Sequence, residues 1–104
     1  MSYQTKEQSI GYILKAMIDT GSNRNELREV YLISKQGIKN VFEESQDNRM
    51  NNYTTEVILQ QTLRTIEKDD EYIANAVSNL YYGYDRFTVE EAGDFYEAFA
   101  VILR

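Results

Sequence analysis

The chain of 104 residues contains no cysteine, histidine, proline or tryptophan. Without cysteine it can form neither a disulfide framework nor a thiolate metal site, and a reducing compartment is the simpler expectation. Without histidine it lacks the commonest general base and the commonest zinc ligand. Serine and threonine hydroxyls therefore have no histidine to activate them, and no glycine-rich phosphate loop is present. These absences predict a protein that is not an enzyme and that carries no metal or cofactor.

Long apolar runs are also missing, since nowhere do eighteen apolar residues follow one another. The stretch MSYQTKEQSIGYILKAMI has no basic region ahead of a long apolar segment, which is the pattern of a secretion signal. We therefore expect a cytoplasmic protein with no membrane insertion. The length predicts a single helical domain, residues 1–104, with one core.

Positive charge is scarce, and the formal net charge is -6. Residues 1–42 carry six basic and four acidic side chains, whereas residues 43–104 carry five basic and thirteen acidic ones. Nucleic-acid binding needs a basic footprint on the protein, so only the N-terminal part is suited to contact DNA. The overall acidity favours another protein as the partner.

Helix signals are present along most of the chain, and the period-two alternation of strands never runs far. Thr5 with Gln8 and Thr88 with Glu91 have the spacing of capping boxes, and Gly21 is a natural end for the first helix. The run SQDNRMNN predicts an exposed loop. The chain is thus predicted to be an all-α, single-domain bundle of four or five helices.

The number of helices depends partly on the segment around EKDDE. Apolar positions from Leu59 to Tyr84 recur at steps of three and four, as in one helix of roughly thirty residues. Asp70 is the exception on that stripe, and burying an aspartate is costly. A break at EKDDE, with Asp69 or Asp70 capping a new helix, is therefore favoured.

Residues 23–44 fit either one long helix or two short helices. Read as two, they place YLIS in a turn, and together with the next helix they resemble the helix-turn-helix of λ-repressor-like regulators over residues 23–66. Arg28 and Leu32 depart from that family, which has a small residue and a glycine there. The resemblance implies that the second helix reads bases in the major groove. Its DNA-facing residues would be Ser34, Lys35, Gln36, Lys39 and Asn40.

Read as one helix, the same stretch needs no turn and carries a continuous stripe. The stripe consists of Leu27, Val30, Tyr31, Ser34, Ile38, Val41 and Phe42. A single helix also fits the helical bundles of small bacteriocin-immunity proteins. The segment VSNLYYGYDRFTVEEAGDFYEAF resembles them in its paired tyrosines ahead of a final amphipathic helix. That resemblance implies action on a protein partner.

Aromatic residues are concentrated towards the C-terminus, where eight of the thirteen tyrosines and phenylalanines lie between Tyr72 and Phe99. Helical spacing assigns most of them to the core, but Tyr72 and Tyr82 lie off the stripe that runs through Ile73 and Leu80. Tyrosines outside a core stripe and next to carboxylates are typical of protein interfaces and dimer contacts. The predicted docking residues are Tyr72, Tyr82, Asp85, Glu90 and Asp94.

Two functional hypotheses follow from these patterns. The first is a small acidic module that binds a protein partner stoichiometrically, as inhibitors, immunity proteins and phage or plasmid accessory proteins do. The second is a helix-turn-helix transcriptional regulator that forms a homodimer through its acidic C-terminal half. An unbroken helix through Leu32 and Ile33 would exclude the turn on which the second hypothesis depends.

Overall fold

The computed structural model describes residues 3–45 and 50–103. For residues 42–45 within that part, it describes the backbone but not the side chains. Five helices make up most of this part of the chain: α1 (Lys6–Thr20), α2 (Arg24–Ser45), α3 (Asn52–Thr65), α4 (Asp70–Arg86) and α5 (Val89–Ile102). They assemble into one bundle, which confirms the predicted all-α fold with four or five helices. Within residues 3–45 and 50–103, no helix combines the length and the apolar character needed to cross a bilayer.

The helix ends follow the capping signals in the sequence. Thr5 and Thr88 each accept a hydrogen bond from the backbone of the third helical residue, and both predicted capping boxes are closed. Gly21 ends α1 in the left-handed region, with φ of 97°, where a side chain would be strained.

Asn51 caps α3, which begins at Asn52, the last residue of the run SQDNRMNN. Residues 46–49 of that run lie outside the described residues, and Met50 is buried and paired with Gln4, so the predicted exposure is wrong at Met50.

A break separates α3 from α4, as the sequence predicted. Asp69 accepts a hydrogen bond from the backbone N–H of Tyr72 and thereby caps α4. Asp70 is exposed in the first turn of α4, where a carboxylate interacts favourably with the helix dipole. The break therefore removes the buried aspartate that a single long helix would have required.

Residues 24–45 form one unbroken helix, so the two-helix interpretation of this segment is wrong. Leu32 and Ile33, in the middle of the supposed turn, are both helical. A turn there would place a leucine at positive φ, whereas the continuous helix keeps its backbone N–H groups paired. The apolar stripe of the one-helix interpretation faces the core. The described members of this stripe are Leu27, Val30, Tyr31, Ser34, Ile38 and Val41. The side chain of its last member, Phe42, lies outside the described residues.

Helix α1 is the centre of the bundle and contacts all four other helices. It crosses α5 closely at Gly11, where a Cβ atom would lie 1.8 Å from the carbonyl oxygen of Ala92. The next residue, Tyr12, donates its hydroxyl hydrogen to the carbonyl oxygen of Phe87 at 2.7 Å. These two contacts place the junction between α4 and α5 against the side of α1.

A buried polar cluster joins the segment before α1 to α3. The side-chain oxygen of Gln4 accepts hydrogen bonds from Ser9 at 3.0 Å and from Thr55 at 3.1 Å, while its nitrogen donates to Asn52. The backbone of Gln4 also pairs with that of Met50 in an isolated antiparallel bridge. In the described part of the chain, no buried side-chain nitrogen or oxygen lacks a partner. The cluster therefore satisfies its polar groups internally, as buried polar groups must to be stable.

Candidate protein-docking surface

Three exposed tyrosines project from the neighbouring helices α3 and α4. Tyr53, Tyr81 and Tyr82 are 68%, 39% and 54% exposed. Tyr53 lies in the first turn of α3, close enough to Tyr81 near the end of α4 to contribute to the raised pKa of Tyr81. We call these three side chains the tyrosine face.

Glu56 fixes the position of one member of the tyrosine face. Its carboxylate accepts a hydrogen bond from the Tyr81 hydroxyl, which is the main cause that raises the pKa of Tyr81 to about 12. Partial burial of the hydroxyl and the proximity of Tyr53 raise this pKa further. The carboxylate also accepts a hydrogen bond from the Gln60 amide at 2.7 Å. The surface thus presents a phenol and a carboxylate that are already held in one geometry.

The ring of Tyr81 is supported from the inside by two further tyrosines. Its centroid lies 5.3 Å from that of Tyr84, which in turn lies 4.7 Å from that of Tyr12 in α1, and both pairs meet edge to face. Edge-to-face packing of this kind is favourable because the positive ring edge meets the negative ring face. Burial raises the pKa of Tyr84 well above its usual value. A continuous row of rings therefore connects the surface to the central helix.

Tyr82 is held by a different contact. The guanidinium of Arg86 lies 4.8 Å from the centre of the Tyr82 ring and 5.5 Å from that of Phe87. A cation over the face of an aromatic ring at this distance is attracted by the ring quadrupole. The arginine therefore packs the exposed ring against the end of α4 and leaves its other face to solvent.

A cavity of about 360 Å³, lined by two carboxylates and by Arg86, lies at the junction of α4 and α5. Asp85 and Glu90 line it, and Tyr12 and Tyr84 contribute their rings. The pKa of Tyr12 is raised first by burial and then by the nearby negative charges, Glu90 among them. The cavity thus extends the negative charge around the tyrosine face towards α5.

Four of the five predicted docking residues are exposed, and Tyr72 is the exception. Tyr82 and Asp85 lie on the last turns of α4, and Glu90 and Asp94 lie on successive turns of α5. Tyr72 is about 15 Å away along α4, because ten residues of helix separate it from Tyr82.

Tyr72 was wrongly predicted to lie outside the core. It packs against the core, shares a hydrogen bond of 2.7 Å with the hydroxyl of Ser22, and has the ammonium of Lys68 at 4.6 Å from its ring centre. The link between α1 and α2 covers it, and spacing within α4 alone could not reveal that contact. Tyr53, Tyr81 and Glu56 were missed for the same reason, since they meet only when α3 lies beside α4.

The predicted DNA-facing residues divide into one buried and four exposed side chains. Ser34 is buried and its hydroxyl donates to the carbonyl oxygen of Val30, so the outward orientation of the two-helix interpretation is wrong and its place in the one-helix stripe is confirmed. A serine that bonds back to its own helix is readily accommodated in a core stripe. Because α2 is continuous, no turn sets this segment apart as a recognition helix. The exposed residues are Lys35, Gln36, Lys39 and Asn40.

Comparisons of the chain with models of protein families, with curated protein sequences and with solved structures find no match. Over residues 3–45 and 50–103, the chain forms a bundle of five helices with an exposed tyrosine face bordered by carboxylates.

Replacing Glu56 with glutamine is expected to lower the pKa of Tyr81 from about 12 towards its ordinary value of 10. The amide of glutamine is a weaker hydrogen-bond acceptor than the carboxylate of Glu56, and it carries no negative charge to oppose ionisation of Tyr81. Since the raised pKa stabilises the fold fully below pH 10, that contribution should be lost as the pH rises through about 12. Tyrosinate absorbance during alkaline titration measures the change, with Tyr81→Phe to assign the transition. Glu67→Gln is the matched control, and an unchanged Tyr81 titration in Glu56→Gln would contradict the contact.

Proposed function

We propose that this protein is a small acidic module that binds a protein partner stoichiometrically through its tyrosine face. The observation that carries the proposal is the exposure of Tyr53, Tyr81 and Tyr82 on adjacent helices next to carboxylates. Tyrosine combines a large apolar ring with a hydrogen-bonding hydroxyl and is enriched in interfaces and their binding hot spots. A partner would cover the rings and hydrogen-bond to the hydroxyls.

Two of the three side chains of the tyrosine face have little conformational freedom to lose on binding. Glu56 and Tyr84 hold the ring of Tyr81, and Arg86 holds that of Tyr82. Each rotamer-rich side chain that binding immobilises weakens association by about 0.5–1.5 kcal/mol. Side chains ordered before binding avoid most of this loss, which supports tight one-to-one association.

The charged rim specifies a partner with a basic surface. Asp85 and Glu90 are exposed and line the cavity at the junction of α4 and α5, and Asp94 is exposed one turn further along α5. Complementary charge at an interface mainly accelerates association and rejects unsuitable partners. Association should therefore slow as salt is raised, because exposed charges are screened beyond about 10 Å at 0.1 M ionic strength.

Stoichiometric inhibition is the form of action that this surface supports best. An inhibitor or immunity protein acts by occupying a surface of its target, which requires a rigid complementary face and no chemistry of its own. The chain has neither cysteine nor histidine, the residue types that most often supply such chemistry.

Simultaneous truncation of two exposed tyrosines is expected to weaken partner binding at least tenfold without altering the fold. The variant is Tyr53→Ala/Tyr82→Ala, and Val101→Ala, which removes an exposed apolar side chain on α5, is the matched control. Loss of one hot-spot side chain typically weakens binding by about 2 kcal/mol or more, which is over tenfold.

The measurement is quantitative affinity capture from cells of the source organism, followed by titration of the captured partner. The wild-type protein and the Val101→Ala variant should capture the same partner, and the double-tyrosine variant should fail to retain it. All three proteins should have the same thermal stability. Equal capture by all three proteins would contradict docking through the tyrosine face.

A further inference from the structure

The outward side of α2 carries a second surface that the tyrosine face does not use. Leu32, near the middle of the helix, is 53% exposed. It lines two neighbouring concave regions of the surface, one on each side of it. One, the lysine hollow, has a volume of about 340 Å³ and is formed with residues of α1 and α5. The other, the amide hollow, has a volume of about 380 Å³ and is formed with α3. Together the two hollows and Leu32 are called the α2 groove.

Both hollows combine apolar and polar lining. Ile10 and Ile38 contribute apolar surface to the lysine hollow, and Ile58 does so in the amide hollow. Gly37 lines the amide hollow, and a Cβ atom there would lie 3.4 Å from the Cδ1 atom of Ile58. The absence of a side chain at this position keeps the hollow open above α3.

The charge of the α2 groove is opposite to that of the protein as a whole. Lys6, Lys35 and Lys39 line the lysine hollow, and the amide hollow is bordered by uncharged amides and hydroxyls. Among the side chains that the structure describes, no carboxylate lines either hollow, although the net charge of the chain is -6. The ammonium of Lys35 lies 5.4 Å from the centre of the Tyr31 ring, a contact that keeps it near the groove.

We propose that the α2 groove binds an acidic amphipathic helix of a partner protein. Its apolar side chains would enter the two hollows on either side of Leu32, and its carboxylates would pair with Lys6, Lys35 and Lys39. Helices recognised in this way present apolar residues three and four positions apart to a groove. Charge complementarity supplies the specificity, because a basic segment would be repelled by the three lysines.

The charge pattern also disfavours a symmetric dimer through this groove. A two-fold interface places the same patch of both copies face to face, which would oppose lysine with lysine. The α2 groove differs from the tyrosine face in its helices and in the sign of its charge. The protein would therefore carry two docking surfaces, and each can be removed without the other.

Peptide selection tests this inference directly on the protein itself. A displayed library of random peptides of about sixteen residues, roughly four helical turns, is selected on the wild-type protein. The selected peptides are expected to be rich in aspartate and glutamate, with apolar residues three or four positions apart.

The affinities of the selected peptides are then measured by fluorescence anisotropy on a set of folded variants. Lys35→Glu/Lys39→Glu and Leu32→Glu should each weaken binding at least tenfold. Arg64→Glu, a charge reversal on the other side of α3, should leave binding unchanged. Tyr53→Ala/Tyr82→Ala should also leave it unchanged, so failure of the α2 groove and failure of the tyrosine face are distinguishable.

Three other results would overturn the inference. Selected peptides that are basic, or that bind the lysine variants equally well, would show that the groove does not recognise acidic helices. Sedimentation of the protein alone could reveal self-association that Lys35→Glu/Lys39→Glu abolishes, and the occupant would then be a second copy. Displacement of the peptides by duplex DNA at low salt, with matching loss of DNA binding in the lysine variant, would identify a phosphate-binding surface instead.

Discussion

Gly11→Ala is expected to destabilise the protein by about 3 kcal/mol, a large part of the stability of a small domain. The added Cβ atom would lie 1.8 Å from the carbonyl oxygen of Ala92, far inside van der Waals contact. A backbone carbonyl cannot rotate away as a side chain can, so α1 and α5 must move apart. Because α1 contacts all the other helices, that movement disturbs the whole core. The better helix propensity of alanine, about 1 kcal/mol, offsets only part of the loss.

Gly93→Ala is the matched control for the helix crossing, since it makes the same change next to Ala92 on α5. The nearest atom to its added Cβ is the Cγ of Gln8 at 3.6 Å, an ordinary contact. This variant should therefore gain up to about 1 kcal/mol from helix propensity. Urea denaturation and thermal unfolding measure both changes, at about 4–8 °C per kcal/mol for a domain of this size. Equal midpoints for the two variants would show that the close crossing is absent.

Gln4→Leu is expected to destabilise the protein by about 2–4 kcal/mol. Leucine has a similar volume but no acceptor, so the hydroxyls of Ser9 and Thr55 lose the oxygen that they share. The donor bond to Asn52 is lost as well. Gln4, Ser9 and Thr55 are each at most 2% exposed, so water cannot easily replace the bonds lost between them. Gln61→Leu, at an exposed site on α3, should change stability by no more than about 0.5 kcal/mol.

A double-mutant cycle distinguishes the polar cluster from a general packing effect. If the two side chains interact, Thr55→Val combined with Gln4→Leu should destabilise less than the sum of the single changes, because valine has no hydroxyl left to satisfy. A coupling of at least about 0.5 kcal/mol is expected from urea denaturation of the four proteins. Strict additivity would contradict the shared hydrogen bonds.

The sequence was most informative where a structural feature depends on neighbouring residues. The capping boxes at Thr5 and Thr88, the glycine stop at Gly21 and the break before Asp70 were all predicted correctly. Each depends on contacts between residues at most four positions apart, so composition and spacing are sufficient. Apolar spacing does not distinguish one helix from two in α2, since both interpretations keep its apolar residues at helical positions. A leucine at the critical turn position favoured the single helix.

Candidate surface residues were predicted less well, because exposure depends on what packs against a helix. Tyr72 and Tyr82 both lie off the apolar stripe of α4, yet one hydrogen-bonds to Ser22 and the other is exposed. Ser34 faces the core, as the stripe of the one-helix interpretation predicted, and only the two-helix interpretation placed it outward. For the two tyrosines, the segment that packs against α4 decides the outcome, rather than the local pattern.

The sequence by itself determined the fold class, the helix ends and the acidic character of this protein, because these follow from local spacing, capping and composition. The tertiary structure alone decided how surfaces are composed. It brings Glu56 beside Tyr81, opposes Gly11 to Ala92, and gathers Lys6 with Lys35 beside one groove. These pairs are separated by 25 to 81 positions in the chain. Contacts across such separations depend on how whole helices pack, and no periodicity within one helix encodes them.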